Sequence, residues 1–386
     1  MANNNNTKNL NVPNLRFPEF KGEWKEAPLT KYLEFKNGLN TDSKKFGKGV
    51  KFISIMDILN NQYITYDNII GLVNVDIEIQ KRYEVNYGDI LFQRSSETIE
   101  DIGRANVYLD NKPAIFGGFV IRGKKIGNYY PEFFKYLLSS PTARKKVIVK
   151  GAGSQHYNIG QEGLSSILLH FPPLQEQNKI AQFLCLLDHR IATQNKIIEK
   201  YESLIKGIRY YILEESTHYN YLGNLCNIIK GQQVNLDNLL KHGKYYVMNG
   251  GTQPSGYYNS YNTDAGTISI SEGGNSCGYV QYNKENFWSG GHCYTLQNIK
   301  SELTEKYLYH YLKSNEKMIM ALRVGSGLPN IQKKDLMSLR IPIPTKENQK
   351  KISCLLDSIE DKISVETNVL KYAIKQKSYL LRQMFI

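Results

Sequence analysis

A passage written twice in one chain, at a constant interval, restricts the fold more than composition does. Residues 158–191 read NIGQEGLSSILLHFPPLQEQNKIAQFLCLLDHRI, and a diluted copy returns at 330–363 as NIQKKDLMSLRIPIPTKENQKKISCLLDSIEDKI. Aligned without gaps at an offset of 172 residues (330 − 158), they pair Asn158 with Asn330, Ile159 with Ile331, Leu164 with Leu336 and Pro172 with Pro344. The register continues through Gln177 with Gln349, Lys179 with Lys351, Ile180 with Ile352, Leu184 with Leu356 and Ile191 with Ile363.

Behind the prolines both copies become helical by pattern, with apolar side chains at steps of four and three. In the first they are Ile180, Leu184, Leu187, Ile191, Ile198, Tyr201, Ile205, Ile208 and Ile212; in the second, Ile352, Leu356, Ile359, Ile363, Leu370, Ala373, Leu380 and Met384. A seam held for about four heptads signals a coiled coil, and two matched seams predict that the helices pair with each other. Polar residues interrupt the seams at equivalent places, Gln194 and Glu366, and Lys377 adds another. Pointing inward they would set register; otherwise they face out. The first helix is expected to end near 213 and the second to begin near 347, with a domain at about 218–346 between them. Both ends then attach to one domain, so the helices should run antiparallel. From Ile180 to Ile212 the seam corresponds to about 48 Å at about 1.5 Å per residue. The outer positions Cys185, Ile197 and Leu204 are expected to be buried by a partner.

The stretches before each helix echo one another too. LTKYLEFKNG at 29–38 resembles LGNLCNIIKG at 222–231, GDILFQRSSETIEDIGRANV at 88–107 resembles GTISISEGGNSCGYV at 266–280, and YLLSS at 136–140 resembles YLKSN at 311–315. Alternating runs such as Lys51–Ile55 and Thr267–Ser271, set between Gly and Asn turns, predict strands; about 130–147 and 303–321 predict helices. Each half is therefore expected to be α+β. The offset falls from 193 at Gly38 and Gly231 to 172 at Asn158 and Asn330, so the second half is about 21 residues shorter between these landmarks. A frame is kept while its contents vary.

What the contents meet is suggested by charge. Forty-nine Lys and Arg against 36 Asp and Glu leave a formal +13, which favours a polyanionic partner. The five cysteines, Cys185, Cys226, Cys277, Cys293 and Cys354, show neither C-x-x-C nor zinc-ligand spacing, consistent with a reducing cytoplasm. The start, MANNNNTKN, has no signal-peptide pattern, and no run of about 18 apolar residues could span a bilayer.

Motifs for chemistry are missing. An amino-methyltransferase loop needs N/D-P-P-Y/F, whereas Pro172 and Pro173 sit between Phe171 and Leu174. The Gly-Lys pairs at Gly47, Gly123 and Gly243 lack the Ser or Thr of a phosphate-binding loop, and Gly151 and Gly153 do not extend to G-x-G-x-x-G. No cofactor and no metal are expected. His292 beside Cys293 reads as a buried or turn-forming residue.

Two variable α+β halves, each closed by a proline-bearing N-I…L…P…Q…K-I passage that opens a long helix, resemble the DNA specificity subunit of a type I restriction–modification system. The opening NVPNLRFPEFKGEW resembles the leader of many such subunits. The resemblance implies two pseudo-symmetric α/β target recognition domains joined by an antiparallel two-helix coiled coil. It divides the chain into an N-terminal arm (1–23), a first recognition domain (24–175), a central spacer helix (176–217), a second recognition domain (218–346) and a C-terminal spacer helix (347–386). Its implied partners are double-stranded DNA with a bipartite site, two methyltransferase subunits and restriction subunits, with no catalysis in this chain and no membrane. A spacer of this length exceeds the 34–36 Å of one duplex turn. Two rivals stay open: an enzyme that modifies nucleic acid alone, and a scaffold whose halves bind protein.

Phosphates call for Lys, Arg and small polar groups, while base edges call for Arg, Asn and Gln on loops. In the first half the candidates are Lys44, Lys45 and Lys48 in a glycine-bearing loop, Gln93, Arg94, Ser95 and Ser96 beyond a strand, Arg104, and Lys150, Ser154, Gln155 and Tyr157 around GAGSQHY. In the second they are Asn249, Thr252, Gln253 and Tyr257, then Asn275 and Ser276 in EGGNS, then Arg323, Ser326 and Asn330.

Overall fold

The computed structural model describes residues 11–214, 218–325, 327 and 329–386, with side chains throughout except at 209–214 and 236. These residues form two units, one running to Asn195 and taking in Val369–Ile386, the other Lys196–Asn368.

In the first unit, strand Lys25–Pro28 pairs antiparallel with Leu168–Phe171. A four-stranded sheet then runs in the order Leu33–Asn37, Val120–Lys125, Ile90–Gln93, Ala105–Val107. Helix Pro131–Ser139 buries Phe133, Phe134, Tyr136 and Leu137 in the same core as Leu33, Ile90 and Phe92 of this sheet. A second sheet, Leu72–Val73, Phe46–Ile53, Ala114–Phe116, Glu84–Val85, completes the unit.

The second unit repeats this frame: Tyr219–Tyr221 pairs with Arg340–Pro342, and a sheet runs Asn227–Lys230, Cys293–Gln297, Thr267–Ser271, Val280–Asn283. Helix Glu305–Ser314 supplies Tyr307, Leu308 and Leu312 to its core. Its additional sheet differs, being Gly256–Tyr258, Tyr245–Met248, Trp288–Ser289.

The repeated residues hold the frame. Asn158 bridges Ser95 on one side and Ala152 on the other; Asn330 bridges Gly273 and Val324. Ile159 N–H donates to the Arg94 carbonyl at 3.0 Å, and Ile331 N–H to the Glu272 carbonyl at 2.8 Å, with both isoleucines buried. Gln177 donates to the Pro172 carbonyl and accepts from Tyr130 N–H, the residue preceding helix Pro131–Ser139. Gln349 donates to the Pro344 carbonyl and accepts from Thr304 N–H, the residue preceding helix Glu305–Ser314. One amide at each long-helix start thus satisfies a backbone donor at the end of a shorter helix, which explains why the glutamine recurs. Gly38 and Gly231 recur because of close approach: a Cβ on either would collide with the backbone carbonyl of Gly117 or Gly290.

The long helices are Leu174–Glu214 and Lys346–Gln383. In the first unit, Ile180, Leu184 and Leu187 from the start of one share a core with Ala373, Leu380 and Met384 from the end of the other. In the second unit, Ile205 from the later part of the first helix clusters with Leu356 and Ile359 from the early part of the second. Both arrangements are antiparallel, as the connectivity demanded, and the fold is α+β with a two-helix coiled coil. Ile191, Ile352 and Ile363 pack at the margins of these clusters; Ile198 and Leu370 are half-buried. The Ile212 side chain lies outside the described residues.

The polar interruptions do not simply face water. Gln194 is buried, and Lys377 Nζ lies 2.5 Å from Asp188 Oδ1, whose other oxygen accepts from Tyr136 O–H at 2.9 Å. Lys135, in the same environment, has its ammonium pushed down to about 8 by burial, partly opposed by Asp188. In the second unit His310, matched to Lys135 by the YLLSS and YLKSN alignment, sits 3.0 Å from Asp357 Oδ1 and 3.6 Å from Glu360 Oε1. Each shorter helix is therefore tied to a long one through a carboxylate, Tyr136 to Asp188 and His310 to Asp357.

Two expected helices are each broken in two. Pro131–Ser139 is followed by Pro141–Ile148, because Ser140 takes an extended ψ before proline and caps the next helix through Ala143 N–H. Glu305–Ser314 and Glu316–Ala321 meet at Asn315. The strand expected at Lys51–Ile55 ends at Ile53, since Ser54 and Asp57 form a capping box that opens helix Ile55–Asn60.

Candidate nucleic-acid interface

In each unit, loops distant in sequence meet at one end of the four-stranded sheet. The backbone bonds that gather them recur: Arg94 N–H donates to the Phe119 carbonyl and Gly103 N–H to the Gln93 carbonyl, as Glu272 N–H donates to His292 and Gly278 N–H to Ser271. Arg94 and Glu272, opposite in charge, occupy equivalent places. The structure thus brings together Arg94, Ser95, Arg104 and the 151–158 loop in the first unit. In the second it brings together Asn249, the 272–276 loop, Val324 and Asn330.

Several candidates stand exposed: Lys44, Lys45, Lys48, Arg104, Lys150, Ser154, Gln155, Thr252, Gln253, Asn275, Arg323 and Asn330. Arg94, Ser95, Ser96, Tyr157, Tyr257 and Ser276 are half-buried. The Arg94 guanidinium donates to the Gly118 carbonyl at 3.2 Å, and Ser95 Oγ donates to Asn158 Oδ1 at 2.5 Å. Ser326 lies outside the described residues.

Three expectations need correcting. Gln93 is buried, and its amide donates to the Ser95 carbonyl at 2.9 Å, so it shapes the turn from inside. Asn249 uses its carbonyl oxygen to accept from His292 N–H at 3.1 Å, which makes it a support for the neighbouring turn. Lys48 belongs to strand Phe46–Ile53 rather than to a loop; only Ser43–Lys45 precede it as a short 3-10 turn capped by Asp42. His292 forms a turn, as expected, with its side chain 59% exposed.

Two further turns, Phe116–Gly117–Gly118–Phe119 and Ser289–Gly290–Gly291–His292, carry no recognised motif, and only the offset of 173 (290 − 117) between their Gly-Gly pairs marks them in the sequence. Both sit inside the loop clusters.

As for metal, His310, Asp357 and Glu360 bring ligand atoms close enough to share an ion. Lys306 Nζ lies 3.1 Å from Asp357 Oδ1, so an ammonium already neutralises that oxygen. No helix among the described residues is long and apolar enough to cross a membrane.

One α+β frame is used twice with unlike loop clusters, and in each unit the long helices pair in coiled-coil fashion. The model of the type I restriction modification DNA specificity domain matches residues 21–203 and again 218–376, and the chain belongs to that family. It is 36% identical over 129 residues to a Mycoplasma genitalium protein assigned as a type I specificity subunit, an alignment spanning 33% of each chain. Against the specificity subunit assigned to the MjaX type I restriction enzyme of Methanocaldococcus jannaschii, identity is 23%, over 97% of this chain and 95% of that one. The crystal structure of the S subunit of the type I system of M. genitalium has the same fold, with a TM-score of 0.69 at 18% identity, covering 97% of this chain and 99% of that one.

Proposed function

We propose that this chain is the non-catalytic, sequence-reading subunit of a type I restriction–modification complex, in which each unit reads one part of a split DNA site. The observation that carries this is the duplicated frame with different residues at equivalent loop positions, Arg94 against Glu272 above all. Two readers of one design with different contents suit a bipartite, asymmetric target. The recognition domains are residues 24–175 and 218–346, and the spacer segments 176–217 and 347–386 set the gap between the half-sites. Exposed lysines and arginines around the loop clusters would hold phosphates and position the heads.

The complex would include two methyltransferase subunits, which supply the chemistry, and restriction subunits, in the bacterial cytoplasm. A solved structure concerned with complex assembly of the type I restriction–modification system shares the fold at a TM-score of 0.54 and 17% identity. Exposed Leu186 and Leu204 on the first long helix and Leu355 on the second are available to such partners.

Arg94→Ala tests the division of labour. Assembled with a methyltransferase subunit, the variant is expected to lose about tenfold discrimination at one base pair of the first half-site, within the range of a lost bidentate contact. The second half-site should be unchanged. Equal loss in both would contradict the reading.

A further inference from the structure

We propose that the Gly-Gly turn of each unit carries a principal base-reading side chain, Phe119 in the first and His292 in the second. This rests on the function proposed above and deepens it. The two turns are the same object. Each enters the corresponding sheet strand, Val120–Lys125 or Cys293–Gln297, and each accepts a backbone hydrogen bond at 2.9 Å, from Arg94 N–H to Phe119 and from Glu272 N–H to His292.

Both turns pack against a side-chain amide. Side chains on Gly118 or Gly291 would run into the amides of Asn40 or Gln233, which stand at the same offset of 193 (233 − 40) as Gly38 and Gly231. The glycines leave room for these amides, while the residue after them is exposed in both units and differs in chemistry.

What projects in the first unit is apolar. Phe119 is 68% exposed, beside Met56 at 60% and Phe46 at 44%, around a cavity of about 380 Å³ that also touches Phe52 and Asn40. Exposed apolar side chains gathered on one hollow mark a binding surface. Phe46 directly follows exposed Lys44 and Lys45, with exposed Lys48 two residues on, so the occupant should combine an apolar face with negative charge. A nucleotide meets both conditions: its base, or a thymine methyl, lies against Phe119 while phosphates face the lysines.

The second unit has a polar version. Glu272 is nine-tenths buried, its Oε1 accepts from Lys230 at 2.6 Å and Tyr294 at 3.1 Å, and its Oε2 has no hydrogen-bond partner. That oxygen lies 3.7 Å from His292 Nδ1. Nδ1 is thus the ring nitrogen nearest the carboxylate, and Nε2 is left for a base edge. An apolar reader and a hydrogen-bonding reader at one structural position give the heads different sequence preferences.

The test is to co-express Phe119→Ala and His292→Ala chains with a methyltransferase subunit and map methylated adenines on the resulting DNA. Phe119→Ala is expected to relax one or two base pairs of the first half-site by about tenfold, leaving the second intact; His292→Ala should do the converse. Where an alanine variant fails to assemble, Phe119→Leu and His292→Gln, which keep side-chain volume, are mapped instead. Unaltered motifs, or equal relaxation of both halves by either variant, overturn the proposal. A wild-type complex that methylates no split motif would instead overturn the function on which it rests.

Discussion

Removing one heptad from each long helix, residues 192–198 and 365–371, is expected to shorten the unspecified gap in the target by about three base pairs. The seams survive the deletion, because positions seven apart carry the same role: Tyr201 succeeds Ile191 as Gln194 did, and Ala373 succeeds Ile363 as Glu366 did. The helices lose seven residues each, about 10 Å of rise, and a duplex turn of 34–36 Å holds 10–10.5 base pairs. Both half-site sequences should persist, since neither loop cluster is touched. Mapping methylation for the doubly deleted chain checks this; an unchanged gap would mean that the helices are not the ruler.

Arg16→Met is expected to cost the first unit about 3 kcal/mol. The N-terminal segment folds back onto the start of the first long helix, where Arg16 grips the fully buried Glu176 with two contacts of 2.7 Å and Trp24 Nε1 adds a third at 3.3 Å. The same carboxylate holds the guanidinium above its ordinary pKa, chiefly through the hydrogen bond. Truncating the arginine leaves a buried charge without its counter-ion, whereas replacing both partners by apolar groups removes the desolvation burden together with the attraction. Arg16→Met with Glu176→Met should thus recover most of the loss. Hydrogen exchange across 174–187 reads both outcomes: protection should fall about a hundredfold in the single variant and return in the double. Unchanged exchange in the single variant would show that the arm is not a structural clasp.

The frame was legible in the sequence because its residues recur for local reasons. Gln177 and Gln349 must meet a helix end, Asn158 and Asn330 must bridge two strands, and Gly38 and Gly231 must pass a carbonyl. The seams were legible through their period alone, and the inward Gln194 shows that a polar residue in a seam can still be core. The loop clusters were less legible. Whether Gln93 faces solvent depends on a hydrogen bond two residues away, which composition does not reveal. Phe119 and His292 differ chemically, so only the shared Gly-Gly spacing could have linked them. Arg94 and Glu272 likewise become equivalent only once their backbone partners are known.

Whether two readers are held at a fixed separation is decided by co-expressing the wild-type chain with a cognate methyltransferase subunit and mapping N6-methyladenine on the DNA at single-base resolution. A motif in two specified parts, separated by a gap of constant length with no sequence preference, is expected. A continuous motif, or two parts whose separation varies from site to site, would contradict it.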